Sequence, residues 1–194
     1  MKLKVNEIFY SLQGEGGRQG EASVFIRLSG CNLHCDFCDT EFESGSWMDI
    51  DDILIKIKDF QCHWIVWTGG EPSLQLNDEI LSFFKKKGYK QAIESNGCFP
   101  FSPLLDYTVC SPKGNPVYAR LKNEKIDEVR IPVRVGDKIP EIQDLPEADF
   151  YFLSPIFELD KETTDANVAF CVEIIKEKPD WRLSLQMHKL IGIK

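Results

Sequence analysis

The chain has 194 residues, 43% of them hydrophobic, and a formal net charge of −8. That length suits one large domain spanning residues 1–194, which buries roughly 70% of its unfolded surface and needs no disulfide staple. The acidic balance excludes non-specific nucleic-acid binding, which depends on basic patches, and no apolar run approaches the roughly 18 residues of a membrane span.

The N-terminal MKLKVNEIFY has neither the apolar stretch nor the small-residue cleavage site of a signal peptide, so a cytoplasmic location is expected. Residues 22–28 (ASVFIRL) read as a strand with Val24, Ile26 and Leu28 on one face and Arg27 on the other. Near that strand's end, Arg27 needs an anion, either a substrate carboxylate held as a bidentate pair or a structural partner. The run GCNLHCDFCDT follows and places Cys31, Cys35 and Cys38 at C-x3-C-x2-C spacing. Three thiolates within eight residues can reach one inorganic centre. A closed Fe–S or zinc site usually takes four protein ligands, so three leave a position open to a small molecule.

Residues 49–60 carry a helical stripe of Ile50, Ile53, Leu54 and Ile57, and HWIVW at 63–67 is a short buried strand. TGGEP follows at 68–72. Its two glycines would let backbone approach a ligand, and Glu71 would accept from an ammonium group. A second helix spans about 77–87, capped by Asn77 or Asp78 and ended by Gly88. The basic run at 85–87 suits its C-terminus. Strands are expected at 91–95, 107–110, 128–135 and 150–154, with a helix at 164–178 stopped by Pro179 and a late strand at 182–186. Pro132 makes 128–135 an edge or bent strand, with Arg130 and Arg134 structural.

Strands alternating with helices imply parallel βαβ units, an α/β fold. A full eight-fold barrel takes about 250 residues, so a partial (truncated) β/α barrel with fewer helices than strands fits better. Ligands in such folds bind beyond the C-terminal ends of strands. Those positions hold the cysteine loop, TGGEP, Ser95-Asn96-Gly97, Ser111-Pro112-Lys113 and Ser154-Pro155, all candidates to converge at one mouth. Lys113 can meet a carboxylate as a point charge. SLQGEG at 11–16 reads as a flexible hairpin tip, or as an amide and carboxylate reading a flat heterocycle. The hydroxyl of Thr40 is a modest ligand for magnesium, and His188 reads as structural. Cys62, Cys98, Cys110 and Cys171 read as small buried hydrophobes.

The cysteine triplet, Phe37 just before its third member, and the downstream TGGEP resemble the radical S-adenosylmethionine superfamily. SLQGEG, FIRLSGCNLHC, CDT, TGGEP, ESNG at 94–97, SPK at 111–113 and the ending LQMHKLIGI are similar, more narrowly, to the 7-carboxy-7-deazaguanine synthase family. The resemblance implies a [4Fe–4S] cluster on Cys31, Cys35 and Cys38 and S-adenosylmethionine on the open iron. It also implies a 5′-deoxyadenosyl radical that abstracts hydrogen from 6-carboxy-5,6,7,8-tetrahydropterin. Ring contraction and loss of ammonia would give 7-carboxy-7-deazaguanine, on the route to queuosine-type nucleosides, with S-adenosylmethionine regenerated and Mg2+ assisting. Carried over by position, Phe37, Cys38, Asp39, Gly70, Ser111, Pro112 and Lys113 match contacts to S-adenosylmethionine, as do Ser154, Pro155, Ile156 and Phe157. Leu12, Gln13, Gly14, Arg27, Thr68 and the terminal carboxylate of Lys194 match contacts to the pterin, and Thr40 matches the Mg2+ ligand. No general base is assigned. The resemblance further implies an electron donor of flavodoxin or ferredoxin type and a homodimer. Two alternatives stay open: a glycyl-radical-enzyme activase or other short radical enzyme, and a non-catalytic Fe–S or zinc protein with Cys62 or His34 as fourth ligand.

Overall fold

The computed structural model describes residues 1–113 and 126–194. These fall into two compact units, one of Met1–Gln13, Glu21–Ser95 and Phe99–Thr108, the other of the described residues in Gly14–Gly20, Asn96–Cys98 and Val109–Lys194. Nine strands and four α-helices are present among the described residues, the expected α/β class with strands outnumbering helices.

The first unit contains β1 (Lys2–Leu12), β2 (Ala22–Leu28), β3 (Ser46–Asp49), α1 (Ile50–Ile57), β4 (Trp64–Gly69), α2 (Asp78–Lys86) and β5 (Lys90–Ser95). Its strand order is β3-β1-β2-β4-β5, with β1 antiparallel to both neighbours and β2, β4 and β5 mutually parallel. The period-2 alternation of β2 holds as read: Val24, Ile26 and Leu28 enter a core with Ile65 and Trp67 of β4 and Ile93 of β5. Ile53 and Ile57 of α1 and Ile80, Leu81 and Phe84 of α2 cover that face. Each such side chain, fully buried, stabilises by about 1.5–3 kcal/mol. Helix α2 starts at the expected cap, where the side chain of Asn77 accepts from the Ile80 N–H at 3.0 Å.

The second unit carries the end of β6 (Tyr107–Cys110), then β7 (Ile126–Val133), β8 (Ala148–Pro155), α3 (Lys161–Glu177), β9 (Arg182–Leu183) and α4 (Met187–Ile191), with parallel strands in the order β6-β7-β8-β9. Of the edge or bent strand expected at Pro132, the edge is not found, because β7 lies between β6 and β8. Its pairing with β6 ends at Cys110↔Val129, before the proline is reached, and Pro132 sits opposite Ser154 on β8. The late strand expected at 182–186 is only two residues long, and the chain turns from Met187 into α4. Cys62, Cys110 and Cys171 are buried as expected, but Cys98 is half-buried, with its backbone N–H bonded to the side chain of Asn96. Burial pushes the Cys171 thiol up to about 12. Among the described residues no helix is long and apolar enough to cross a membrane.

Candidate active site

The cysteine loop leaves the C-terminal end of β2, where Gly30 donates to the carbonyl of Phe42 at 2.7 Å and so closes the loop at its base. Cys31 and Cys35 are half-buried and Cys38 is exposed. None of the seven cysteines, all within the described residues, forms a disulfide. The Leu33 N–H points at Cys31 Sγ at 3.4 Å, and the Cys38 N–H donates to the Cys35 carbonyl at 3.2 Å. Burial is the main influence raising the Cys31 thiol pKa; the Leu33 N–H opposes it, and the charges of Glu71 and Cys38 add to it. Glu41 closes the far side of the loop. Its carboxylate accepts from the Ser44 hydroxyl, from the Ser44 and Glu43 N–H groups and from the Asn6 side chain, and these bonds, the Ser44 hydroxyl first, hold its pKa down to about 2.

TGGEP packs directly on this loop. Gly70 donates to the Leu28 carbonyl at 3.0 Å and Glu71 to the Gly30 carbonyl at 2.8 Å. A Cβ on Gly70 would lie 2.0 Å from the Gly30 oxygen and 3.1 Å from the Cβ of Cys31. Gly69 has φ +128, and a Cβ there would meet the Leu28 carbonyl oxygen at 2.1 Å. The glycines therefore serve a close approach of two backbones. The reading of Glu71 as an acceptor for an ammonium group is corrected. Its side chain is fully buried, and Oε1 accepts from the Ser73 N–H at 3.0 Å and the Ser95 hydroxyl at 2.8 Å. Loops after β2, β4 and β5 thus meet in one bonded set.

The sheet face opposite the main core is organised in rows. Phe25, Val66 and Ala92 stand side by side in register and form an apolar floor with Phe9, which stacks on Phe25 at 4.9 Å. Two residues further along each strand, on the same face, come Arg27, Thr68 and Glu94. Arg27 has its anion inside the protein: Nε donates to Glu7 Oε1 at 2.9 Å, while Nη1 donates to the Thr40 hydroxyl at 3.2 Å. Thr40 in turn reaches the Asp39 carboxylate at 3.4 Å. Gln13 is buried and donates through Nε2 to Glu94 Oε1 at 2.9 Å. Arg27, Thr40, Thr68 and Gln13, singled out separately in the sequence, are linked here by register or by direct bonds. Glu7 and Glu94 were not singled out. The QAIES strand carried the signal for Glu94, since a carboxylate two residues from Ala92 must share its face.

In the second unit the candidates fall on three loops. Lys113 donates to the Ser111 hydroxyl at 2.7 Å, and Pro112 between them is buried. Ser154 and Pro155 end β8 and are buried, while Ile156 and Phe157 are half-buried. The Ile156 N–H donates to the Val133 carbonyl at 2.9 Å, and Lys189 lies 5.6 Å from the centre of the Phe157 ring. Gly14 accepts through its carbonyl from the Met187 N–H at 2.9 Å, and Lys194 is exposed.

Asn167 escaped notice in the sequence. It is 1% exposed on α3, accepts from the Val135 N–H at 2.9 Å and donates to the Ile156 carbonyl at 2.8 Å, so it fixes the loops after β7 and β8. Its signal was the small polar series Thr164, Asn167 and Cys171 at helical spacing, all buried. Asn167→Ala leaves two backbone groups without this partner. A loss of about 2–3 kcal/mol is expected in urea unfolding, and an unchanged midpoint would contradict it.

A family model, the Radical SAM superfamily, matches residues 25–146. A 7-carboxy-7-deazaguanine synthase of Bacteroides thetaiotaomicron is 41% identical over 194 residues, covering the whole of both chains. One from Neisseria meningitidis is 38% identical over all of this chain and 95% of its own length. The chain belongs to the 7-carboxy-7-deazaguanine synthase family. A crystal structure of QueE from Escherichia coli agrees, with TM-score 0.71 and 25% identity over 97% of this chain and 95% of that one. Membership makes the chain a radical S-adenosylmethionine enzyme and sets aside the activase and the non-catalytic metal protein.

Family membership implies a [4Fe–4S] cluster and S-adenosylmethionine, and the cysteine loop fits them. Its three cysteines are outside any disulfide and reach the surface, and a backbone N–H already points at Cys31 Sγ. Their C-x3-C-x2-C spacing is what suits them to a cluster.

Proposed function

We propose that this chain converts 6-carboxy-5,6,7,8-tetrahydropterin to 7-carboxy-7-deazaguanine with loss of ammonia, in the biosynthesis of queuosine-type deazapurines. The observation that carries this reading is the polar row Arg27–Thr68–Glu94, joined by Gln13 and bordered by Thr40 of the cysteine loop, over an apolar floor. A flat, carboxylated heterocycle with donor and acceptor edges suits such a surface. Its amide-like edges would meet Gln13 and Thr68, and its carboxylate would meet Arg27. The bond from Arg27 Nε to Glu7 is compatible with this role, because a guanidinium has five N–H donors and can serve Glu7, Thr40 and a ligand together.

When bound, the cluster supplies the electron that cleaves S-adenosylmethionine to the 5′-deoxyadenosyl radical. Cys31, Cys35 and Cys38 would hold it. By family resemblance Phe37, Cys38, Asp39, Gly70, Ser111, Pro112, Lys113, Ser154, Pro155, Ile156 and Phe157 would contact S-adenosylmethionine. Leu12, Gly14 and the Lys194 carboxylate would join the pterin contacts. Thr40, a hydroxyl beside the Asp39 carboxylate, would serve as a Mg2+ ligand, and equal activity in magnesium and in chelator would remove that role. A reduced carrier of flavodoxin or ferredoxin type would deliver the electron, and a second copy of the chain would complete a homodimer.

The test is Arg27→Ala in the reconstituted enzyme. We expect the KM for the carboxypterin to rise at least tenfold, about 1.4 kcal/mol of lost binding, with S-adenosylmethionine affinity kept. Unchanged turnover would take Arg27 out of the site.

A further inference from the structure

SLQGEG is not the flexible tip its composition suggests. After Gln13 the chain enters a tight turn at Gly16–Arg18, and each residue from 14 to 17 is fixed by a long-range partner in the second unit. The Gly17 N–H donates to Glu128 Oε2 at 3.0 Å, and the Gly16 N–H donates to the Ser184 hydroxyl at 2.9 Å. The Glu15 carboxylate accepts from Arg130 Nη1 at 2.8 Å, and the Gly14 carbonyl accepts from the Met187 N–H. Glu128 and Arg130 stand two residues apart on β7 and so share a face. Glu128 Oε1 accepts from Arg130 at both Nε (2.8 Å) and Nη2 (2.6 Å). The side chains of Glu128 and Arg130 are 1% and 7% exposed.

The glycines of the motif follow from this clamp. Gly16 has φ +71, and a Cβ there would lie 2.1 Å from the Glu128 carboxylate. On Gly14 a Cβ would lie 2.0 Å from Nδ1 of His188. A buried Glu–Arg–Glu set is poor evidence for stability, because desolvation offsets the attraction between its members. What it does supply is one defined geometry for the segment it grips.

We propose that Glu128 and Arg130 are positioning residues for the pterin: through Glu15 and Gly17 they hold the segment that presents Gly14. The proposal rests on the reading of Gly14 as a substrate contact. It separates Arg130 from Arg27, which belongs to the contact surface itself.

The test is Glu128→Gln in the reconstituted enzyme. This variant keeps an acceptor for the Gly17 N–H and removes one of the two charges facing Arg130. Glu15→Gln, at the more exposed end, is the second variant. In both, the KM for 6-carboxytetrahydropterin is expected to rise about tenfold with kcat changed less than about threefold. Cleavage of S-adenosylmethionine without pterin should be unchanged, and the amides of Gly14–Gly17 should exchange hydrogen faster. An unchanged KM, or a parallel fall in pterin-free cleavage showing a general disturbance, would overturn the proposal. Should the wild-type chain not bind the pterin at all, the proposed function falls by itself. Amide exchange then decides the clamp, and unchanged exchange in Glu128→Gln would end it too.

Discussion

Cys38→Ala is expected to lose the cluster and, with it, all reductive cleavage of S-adenosylmethionine. Cys38 is the most exposed of the three cysteines and sits in a turn closed by the bond from its own N–H to the Cys35 carbonyl. The backbone of the loop should therefore tolerate the change while one iron loses its thiolate. Anaerobic reconstitution should load about four irons per chain in the wild type and leave the variant without a stable cluster. Cys62→Ser and His34→Ala distinguish an open cluster from a closed one. The Cys62 thiol donates to the Ala22 carbonyl at 2.9 Å, and His34 packs edge-on to Phe42, so both variants should keep their iron. Loss of iron in either would mean a fourth protein ligand and no open position.

Gly70→Ala is expected to damage the same centre from the other side. The new methyl would lie 2.0 Å from the Gly30 carbonyl oxygen and 2.5 Å from its carbon, and neither atom belongs to a side chain that can move away. The two loops must part, which breaks the bond from the Glu71 N–H to the Gly30 carbonyl and shifts Cys31. Overpacking of this kind costs about 1–3 kcal/mol. The cluster-free protein should unfold at correspondingly lower urea, and the reconstituted protein should hold less iron. If Gly70 served only to admit a ligand, the cluster-free protein would be as stable as wild type, and that result would return the glycine to the role read from its sequence.

The difference between those two readings of Gly70 shows where the sequence stops. A glycine pair after a strand says that something comes close; it does not say whether that something is a ligand or the next loop. The cysteine triplet was legible because C-x3-C-x2-C spacing puts three thiolates on one short loop. Arg27 was legible as a residue on the face opposite Val24, Ile26 and Leu28, because strand parity is simple in β2. It is not simple in β1, which went unrecognised. A register shift between Val5 and Glu7 breaks the alternation after Leu3 and Val5, so Ile8 falls out of step with them. Strand β3 is four residues at the edge of its sheet and α4 is five mostly exposed residues, too short for any period to declare itself. Glu7, Glu94 and Glu128 each look like ordinary surface carboxylates in sequence, and Glu15 stood out only as part of SLQGEG. Only tertiary pairing, with Arg27, Gln13 and Arg130, gives them their places.

The most direct test is a single anaerobic reaction containing the reconstituted chain, S-adenosylmethionine, magnesium, a reductant and 6-carboxy-5,6,7,8-tetrahydropterin. The account predicts the deazaguanine chromophore of 7-carboxy-7-deazaguanine, with one ammonia released per turnover and S-adenosylmethionine regenerated. A cluster-loaded chain that cleaves S-adenosylmethionine while leaving the carboxypterin unchanged would contradict it.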